Sequence, residues 1–513
     1  MDSRMRDIPQ KILEKLDPSF RKRAAIKRLF TKKRPSPPAN ALNWIRNQEL
    51  STGGIRVYTG HSKAYPEVTG YLIPTLLDYG EKELALRLTK WLQVIQKTDG
   101  SYAGPDGKIY VFDTGQALRG LLGASKFAPE ALKSAVRAAD YLCKAMIREG
   151  KEGFEPQYSG EIQETIHLYV LPPLIRAAEL LNRPHYHEVA INCLDFYCRH
   201  RDFLQVAFLT HFLAYELEAL IEMDRTDMAI PVLERLRNAQ SKNGSVRGKK
   251  NVRWICSPGL AQLAICWYRI GEWEPADKAL AWLEAHQRPS GGFLGSYGPK
   301  AAYLHDVEIS WAVKFYLDAH RLRVLSSFER NHHKFPSSIS VDDGRAQAIL
   351  RLIRPGDRVI EIGCGNGRLL KVIHKLFPDT DCTGVDISPV MLSYVPPGIE
   401  CIEGSLESVP CPNNSFDVVF SVEAIEHSAN PEAAISEMIR IARPGGWVLV
   451  IDKQQSDWGR KKCPSWERWP DVNDLKKSLE NGCCNVSAVR IAYDKNPASD
   501  GLMVAWRGQK RTS

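Results

Sequence analysis

The first two-thirds of the chain repeat one pattern, in which a helical segment ends in glutamine and runs into a glycine-containing turn. The glutamines are Gln48, Gln96, Gln240 and Gln287, which are separated by one nearly constant interval or by a multiple of it. Residues 196–203 supply a degenerate copy in the remaining interval. A repeat of this size is one supersecondary unit that buries its apolar face against its neighbours. The pattern therefore predicts helical hairpins that pack side by side.

Six such units, each with an outer helix, a glycine turn, a loop and a second helix, fit between residues 39 and 325. Their spacing and turns resemble the (α/α)6 toroids, a group of folds that includes terpene cyclases, protein prenyltransferase β-subunits and many polysaccharide lyases and glycoside hydrolases. The resemblance predicts an all-α toroid over residues 39–325. It does not identify an activity, because one fold hosts many chemistries.

Polar and aromatic residues cluster where the second helix of each unit begins. In a toroid these helix starts would converge on one end of the central cavity. Carboxylates there can bind hydroxyl groups, and aromatic rings can cover C–H surfaces, so the lining suits a sugar or another polyhydroxylated ligand. Helix capping accounts for the same residue types without a ligand. The predicted acceptor-binding residues are Glu67, Tyr71, Asp113, Glu164, His211, Trp254 and Glu308.

A basic arm, residues 1–38, precedes the repeat. Its first 35 residues hold twelve Lys and Arg against four acidic residues, which is nearly all of the net charge of +9. Such an arm can bind an anionic membrane surface or another polyanion, or it can dock on its own protein. A short apolar stripe from Ile8 to Leu16 mildly favours a membrane surface. No specific nucleic acid is expected, and nothing indicates an oligomeric state.

The remaining composition indicates a soluble protein with two or three domains. No apolar run approaches the roughly 20 residues of a membrane helix, and the N-terminus lacks the apolar core of a secretory signal. The twelve cysteines show neither CxxC pairs nor zinc-type spacing, so no metal site is predicted. The expected location is the cytoplasm, with peripheral contact at the inner face of the membrane left open by the basic arm.

After a predicted linker at residues 326–340, rich in Pro, Ser and His, short helices alternate with apolar strands. This alternation predicts a parallel sheet with helices on both faces and a ligand at the carboxyl ends of its strands. Strands are predicted at residues 359–362, 381–386, 399–403, 416–422 and 447–452, and two more, at 486–493 and 502–507, form a closing hairpin.

The first of these strands runs directly into three glycines at alternate positions, Gly363–Gly367, and a helical pattern follows. Backbone N–H groups of such a turn, with the helix N-terminus behind them, suit a nucleotide-type cofactor. Asp386 lies at the tip of the second strand, where a carboxylate can bind a ribose diol. The dinucleotide fingerprint needs its third glycine at 368, which is Arg368 here.

Five motifs occur in a fixed order along this region: E-I-G-C-G-N-G at 361–367, V-D-I-S at 385–388, P-N-N-S-F-D-V-V at 412–419, E-H at 426–427 and R-P-G-G at 443–446. Together they resemble class I S-adenosylmethionine-dependent methyltransferases, in the subgroup with quinone-biosynthesis and many small-molecule and sugar methyltransferases. The resemblance spans residues 342–510. It implies a Rossmann-like α/β domain over residues 341–513, with a seven-stranded sheet whose last strand is antiparallel.

The same resemblance implies S-adenosylmethionine as the cofactor. The three glycines would lie against its methionine portion, Glu361 would position the turn, and Asp386 would hold the ribose hydroxyls. Ser405 and Leu406 occupy positions where the family often has an acidic residue near the adenine. The cofactor-binding residues predicted in this way are Glu361, Gly363, Cys364, Gly365, Gly367, Asp386, Ile387, Ser405, Leu406 and Glu423.

Methyl transfer is an in-line displacement, in which the protein aligns the acceptor with the methyl group and excludes water. An alcohol acceptor also needs a base within hydrogen-bond reach. His427 is the first candidate, followed by Glu426 and Asp452. Trp458 lies in the insert between the fifth strand and the closing hairpin, a region expected to shape the acceptor pocket.

These observations predict O-methylation of a hydroxyl on a glycan or glycoconjugate, with the toroid recognising the acceptor. The alternative is a bifunctional enzyme whose toroid itself catalyses a reaction, as a polysaccharide lyase, epimerase, hydrolase or terpenoid cyclase, with methylation as a tailoring step. A binding protein with a degenerate methyltransferase is a third hypothesis, and the intact glycine turn counts against it.

Overall fold

The computed structural model describes residues 36–148, 151–157, 162–455, 467–491 and 502–512. Trp458 and all but the last three residues of the predicted basic arm lie outside the described residues. The chain forms a helical region followed by a region built on one large sheet. None of the described helices is long and apolar enough to cross a membrane.

Among the described residues, the first helix of the helical region begins at Pro37, and the region also contains a 3₁₀ segment, Glu164–Val170. Its helices are α1 Pro37–Arg46, α2 Pro66–Asp78, α3 Lys82–Ile95, α4 Val111–Ala124, α5 Ala131–Ala145, α6 Leu171–Leu180, α7 Pro184–Cys198, α8 Thr210–Glu222, α9 Thr226–Asn238, α10 Ser257–Arg269, α11 Trp273–His286 and α12 Ser310–Asn331.

Alternate helices of this region pack against one another in a cyclic order. Helix α2 packs on α4, α4 on α6 and the 3₁₀ segment, that segment on α8, α8 on α10, α10 on α12, and α12 returns to α2. Ser257–Tyr268 in α10 are buried without exception, whereas α9 buries only four residues. A helix buried on all sides belongs in an interior, and an amphipathic one covers it.

The repeated glutamines have one structural task. Except at Gln48, each side-chain amide donates to the carbonyl oxygen of the turn glycine four residues on and to a carbonyl in the first turn of another amphipathic helix. The sets are Gln96 with Gly100 and Ser134, Gln240 with Gly244 and Pro275, and Gln287 with Gly291 and Pro37, all at 2.8–3.1 Å. The last set joins the final hairpin to the first helix.

Helix α12 corrects the predicted linker at residues 326–340, because it continues to Asn331. A 3₁₀ turn, His332–Lys334, follows it. Ser and His are tolerated within a helix, and the first proline of this segment is Pro336, so the helix has no reason to stop at residue 326.

The second region contains strands β1 Arg358–Ile362, β2 Asp381–Asp386, β3 Glu400–Glu403, β4 Phe416–Val422, β5 Ala442–Lys453, β6 Cys483–Ile491 and β7 Met503–Lys510. Helices α13 Gly344–Leu350, α14 Arg368–Leu376, α15 Pro389–Leu392, α16 Pro431–Ile441 and α17 Val472–Glu480 accompany them.

The strands form a single seven-stranded sheet in the order β6-β7-β5-β4-β1-β2-β3. Neighbours from β5 to β3 pair in parallel, while β7 is antiparallel to both β5 and β6. The predicted seven-stranded sheet with an antiparallel last strand is confirmed. Strand β5 begins earlier than predicted, at Ala442, since the R-P-G-G segment already extends along β4.

The helical region covers the edge of this sheet where the parallel strands end. A Cβ atom on Gly80, just after α2, would lie 2.6 Å from the Cβ of Ala433. The side-chain amide of Asn430 donates to the Tyr79 carbonyl at 3.0 Å and to Glu81 Oε1 at 2.8 Å. These contacts place the helical region directly over the carboxyl ends of the strands.

Candidate cofactor and acceptor site

The glycine turn after β1 has a backbone that other residues seldom adopt. Gly363, Gly365 and Gly367 have φ angles of 76°, 54° and 69°. These angles lie in the left-handed region, which a Cβ atom disfavours. A Cβ on Gly363 would also lie 2.5 Å from the Cβ of Ala424. The turn therefore requires glycine, and Gly367 leads into α14 as its N-cap.

Asp386 at the end of β2 is fixed against this turn. Its Oδ2 accepts the Gly365 N–H at 2.8 Å, and its Oδ1 accepts the Ser388 N–H at 2.9 Å. Burial raises the pKa of the Asp386 carboxyl, although both hydrogen bonds oppose that shift. Each carboxylate oxygen keeps a further lone pair, so the group can still accept hydrogen bonds from a ligand diol.

Glu361 is buried on β1, beneath the turn, and its Oε2 has no hydrogen-bond partner among the described residues. Burial raises the pKa of this carboxyl well above its usual value, with Arg368 acting in the opposite direction. A buried polar atom without a partner is rare in folded proteins. Since Glu361 lines the adjoining cavity, a donor group of a ligand can satisfy it.

The cavity beside the turn has a volume of about 720 Å³. Nine of the ten predicted cofactor-binding residues line it. Gly367, the last glycine of the turn, does not. The nine are Glu361, Gly363, Cys364, Gly365, Asp386, Ile387, Ser405, Leu406 and Glu423. The structure thus brings this predicted set together in one place.

The opposite wall of the same cavity comes from the helical region. Asp78 and Tyr79 at the end of α2 contribute to it, as does one face of α12. The residues of that face are His320, Arg321, Val324, Ser327, Phe328 and Asn331. None of these residues was predicted to belong to the site, and those after residue 325 fell in the predicted linker. The uninterrupted helical spacing of these side chains is the signal that could have found this wall.

Two arginine side chains bind the carboxylate of Glu423, which lies just after β4. Its Oε2 is 2.6 Å from Arg345 Nη1 and 2.9 Å from Arg368 Nη2. Burial acts to raise the pKa of Glu423, but the two guanidinium groups outweigh it and the net shift is downward. The side chain is therefore a carboxylate at neutral pH, already neutralised before any ligand binds.

Among the candidate bases, His427 and Glu426 line the cavity, whereas Asp452 lies behind them and accepts the N–H groups of Glu426 and Lys453. Burial, with a smaller effect of the Lys453 charge, lowers the pKa of His427 to about 3. Burial raises the pKa of Asp452 to about 7. The imidazole of His427 is thus neutral at pH 7 and weakly basic.

Lys453 also lines this cavity, although it was not among the predicted site residues. Its ammonium lies 2.5 Å from Glu426 Oε1 and 3.6 Å from Glu467 Oε2. Ligand atoms of Glu426, His427 and Glu467 lie within 4.8 Å of one another, a spacing at which a metal ion could bind. Because the ammonium already contacts two of these three side chains, it supplies the positive charge there.

The seven predicted acceptor residues of the helical region differ in their surroundings. Tyr71, Asp113 and His211 are buried in its interior, where burial raises the pKa of Glu67 to about 8. The other three make local contacts: Glu164 with His200 at 3.5 Å, Glu308 with Trp44 at 2.6 Å, and Trp254 in an apolar cluster with Leu209 and Cys256.

The strand order, the glycine turn and the cavity define the second region as a Rossmann-like domain of the methyltransferase type. Residues 360–450 match the family described as methyltransferase domain. S-adenosylmethionine is its cofactor, and the residues present fit it: the glycine turn leaves space for a ligand, and the unpartnered Glu361 oxygen can accept from a ligand donor.

Curated relatives include the fatty-acid O-methyltransferase of Mycolicibacterium smegmatis, 30% identical over 118 residues, which are 22% of this chain and 42% of the relative. Phthiotriol/phenolphthiotriol dimycocerosates methyltransferase 1 of Mycobacterium ulcerans is 30% identical over 154 residues, 29% of this chain and 55% of the relative. The chain thus spans about half the length of these relatives.

Among solved structures, a possible histamine N-methyltransferase from Thermotoga maritima has a TM-score of 0.29 and 23% identity, over 37% of this chain and 97% of that one. Phosphoethanolamine N-methyltransferase 2 of Haemonchus contortus, in complex with S-adenosyl-L-methionine, has a TM-score of 0.28 and 16% identity, over 33% and 52% of the two chains.

Proposed function

We propose that the protein transfers the methyl group of S-adenosylmethionine to a hydroxyl of a glycan or glycoconjugate that the helical region recognises. The observation that carries this proposal is the shared cavity, whose two walls come from the glycine turn and from α2 and α12. An acceptor placed against the cofactor would contact the helical region at the same time. Recognition and transfer would then occur in one enclosed space.

Residues of this chain divide the work in that cavity. Asp386 is positioned for the ribose hydroxyls, and the unpartnered oxygen of Glu361 for the amino group of the methionine portion. When bound, the cofactor supplies an electrophilic methyl carbon on a positively charged sulfur. His427, held edge-on to Phe328 with ring centroids 5.0 Å apart, offers a neutral acceptor for the hydroxyl proton.

We also propose that the helical region is an (α/α)6 toroid. The cyclic order of its helix contacts supports this, as does the hydrogen bond that returns from Gln287 to Pro37. An interior that combines charged and aromatic side chains suits a polyhydroxylated acceptor, and this is the reason for preferring a glycan.

Calorimetric titration with S-adenosylmethionine tests the cofactor site. Asp386→Ala should weaken binding at least tenfold, because the ribose hydroxyls lose their acceptor and the glycine turn loses its tie to β2. Asp381→Ala is the matched control, since it removes an exposed carboxylate from the other end of the same strand. Equal affinities for Asp386→Ala and the unmodified protein would contradict the assignment.

The acceptor is tested with methyl-labelled cofactor and with separate glycan, lipid and small-metabolite fractions. We expect label in the glycan fraction. The lipid fraction should include fatty acids, because one relative is named as a fatty-acid O-methyltransferase. Label confined to lipid or small-metabolite fractions would remove the glycan from the proposal while leaving methyl transfer in place.

A second candidate function is catalysis within the helical region itself. It is favoured by Glu67 and Asp113, two interior carboxyls whose pKa values are both raised by burial. Such carboxyls can act as general acids. Glycan cleavage or epimerisation in the absence of cofactor, abolished by Glu67→Gln, would establish this activity. No change in any glycan without cofactor would exclude it for the glycans tried.

We further propose that the protein acts in the cytoplasm and that its basic arm contacts an anionic membrane surface. Net positive charge beside a short apolar stripe is the basis of this proposal. Full-length protein should sediment with vesicles that contain phosphatidylserine and not with purely zwitterionic ones. Loss of the difference at low ionic strength would contradict it.

A further inference from the structure

A cavity of about 230 Å³ lies within the helical region, between the C-terminal parts of α2 and α8 and the N-terminal half and centre of α12. We call it the inner cavity, and the cavity of about 720 Å³ beside the glycine turn the cofactor cavity. Asp78 and Arg321 line both cavities. Arg321 Nε is 3.3 Å from Asp78 Oδ2, so an ion pair forms the wall that the two spaces share. A ligand that extends past this pair reaches from the cofactor into the helical region.

Charged side chains of the inner cavity are balanced. Its cations are Arg119, Arg269, Lys314 and Arg321, and its acids are Asp78, Glu218, Glu222 and Asp318. Each cation is held by an acid, as in the pair of Arg119 with Glu222 at 2.9 Å and that of Lys314 with Asp318 at 2.8 Å. Pairing of this kind makes buried charges tolerable. By itself it points to no ligand.

Two buried tyrosines give evidence for a ligand that is independent of the ion pairs. Tyr71 and Tyr169 line the inner cavity and are completely buried. Neither phenolic oxygen has a hydrogen-bond partner among the described residues. Most buried hydroxyls in folded proteins are hydrogen-bonded, so two unpartnered ones at one cavity indicate a missing partner.

Arg119 adds two unsatisfied donors at the same cavity. Its Nη1 binds Glu222, but its Nε and Nη2 have no partner among the described residues. These two atoms form one edge of the guanidinium group. Elsewhere in this chain Arg87 uses that edge to bind both carboxylate oxygens of Glu49, at 3.0 and 2.8 Å. The hydrogen-bonding groups that lack a partner at the inner cavity are therefore chiefly donors. The geometry of the Arg119 edge matches a carboxylate.

We propose that the inner cavity binds the carboxylate of a uronic-acid residue in the acceptor, while the hydroxyl to be methylated lies in the cofactor cavity. The proposal rests on the proposed function and names the acceptor's second point of attachment. A carboxylate supplies two coplanar oxygens to the unpartnered edge of Arg119 and accepts from the Tyr169 hydroxyl. A neutral sugar would leave most of these donors without an acceptor.

Saturation-transfer NMR of the full chain without cofactor tests the ligand class with three matched probes: D-glucose, D-glucuronate and glucose 1-phosphate. We expect glucuronate to bind at least tenfold more tightly than glucose. Equal binding of the two, or no binding of glucuronate, would overturn the proposal. Tighter binding of glucose 1-phosphate than of glucuronate would overturn the assignment of a carboxylate.

Tyr169→Phe tests the site itself. Because the phenolic oxygen has no partner among the described residues, the melting temperature should stay the same or rise, while glucuronate affinity falls at least fivefold. Tyr102→Phe is the matched control: it removes another fully buried, unpartnered hydroxyl of the helical region that lines neither cavity. Equal losses of affinity in the two variants would contradict a specific contact.

Arg119→Lys is a second variant that keeps a positive charge opposite Glu222 and removes the guanidinium edge. It should also weaken glucuronate binding at least fivefold, and unchanged affinity would count against the site. Calorimetry with S-adenosylmethionine is run on the same samples. Absent cofactor binding with intact glucuronate binding would refute the proposed function alone, and the reverse result would refute this inference alone.

Discussion

The helical region and the methyltransferase domain both depend on glycine turns, but for different physical reasons. At Gly100, Gly244 and Gly291 a Cβ atom would collide with a backbone carbonyl of a neighbouring helix. At Gly365 the nearest atom to such a Cβ is the flexible end of Met391, at 3.1 Å, and the turn faces a cavity. Glycine lets protein pack on protein at these three turns of the first region, whereas Gly365 leaves room for a ligand in the second.

This difference separates fold from function at the level of single residues. A glycine that is packed against a neighbouring helix serves stability, so its substitution should act on unfolding. A glycine beside a cavity serves binding, so its substitution should act on the ligand. Matched substitutions in the two kinds of turn can therefore break or sharpen the comparison.

The largest effect is expected at Gly363. Alanine there would combine a left-handed φ of 76° with a Cβ 2.5 Å from that of Ala424. Calorimetry should show at least a hundredfold loss of S-adenosylmethionine affinity, because the turn must change shape. Gly356→Ala, which has a φ of 83° and nothing within 4 Å, imposes the same strain without the collision. Similar losses in the two variants would show that backbone strain, not the shape of the turn, is responsible.

The next effect is expected at Gly291 of the helical region. Gly291→Ala should lower the free energy of unfolding by about 2.5 kcal/mol, because the new methyl group overpacks the contact with α1. Cofactor affinity should change less than twofold. Gly271→Ala is the control, with a φ of 80° and open space around it. A large loss of cofactor affinity in Gly291→Ala would mean that the two regions do not divide stability and binding as proposed.

The smallest effect concerns His427 at the boundary of the two regions. Unfolded histidine has a pKa of about 6.5, whereas burial lowers that of folded His427 to about 3. Between these values only the unfolded state takes up the proton, so this histidine's contribution to stability is lost as pH falls. At pH 5 the loss is about 2 kcal/mol.

His427→Gln should remove this pH-dependent loss of stability. Urea titration at pH 8 and pH 5 then gives the difference in unfolding free energy between the unmodified protein and the variant. That difference should shift by about 2 kcal/mol between the two pH values, as the linkage relation requires. A difference that does not change with pH would show that the imidazole titrates normally. In that case it would be better placed to act as a base at neutral pH.

Local sequence was sufficient for most of the second region. The bounds of β2 and β4 match those predicted, because runs of apolar residues in strands are short-range signals. The cofactor residues were also found together, since a glycine turn and the strand end beside it are positioned by neighbouring parallel strands. The end of α12 was misplaced, because Ser and His near residue 326 were taken for a break.

The acceptor side depended on contacts that no local pattern records. Glu164 and Glu308 carry the same polar character as Glu67, yet the fold commits them to His200 and Trp44. Arg119 and Tyr169, which belong to different helical units, were not singled out at all. Their shared cavity exists only after the helices have packed.

The sequence by itself determined the repeated hairpins, the glycine turn and Asp386, because each follows from backbone conformation or from short-range hydrogen bonding. Only the tertiary structure decided that α12 forms a wall of the cofactor cavity and that an ion pair, Arg321 with Asp78, separates it from a second space. The physical reason is distance along the chain. Side chains far apart in sequence meet through helix packing, whose geometry depends on many apolar contacts at once.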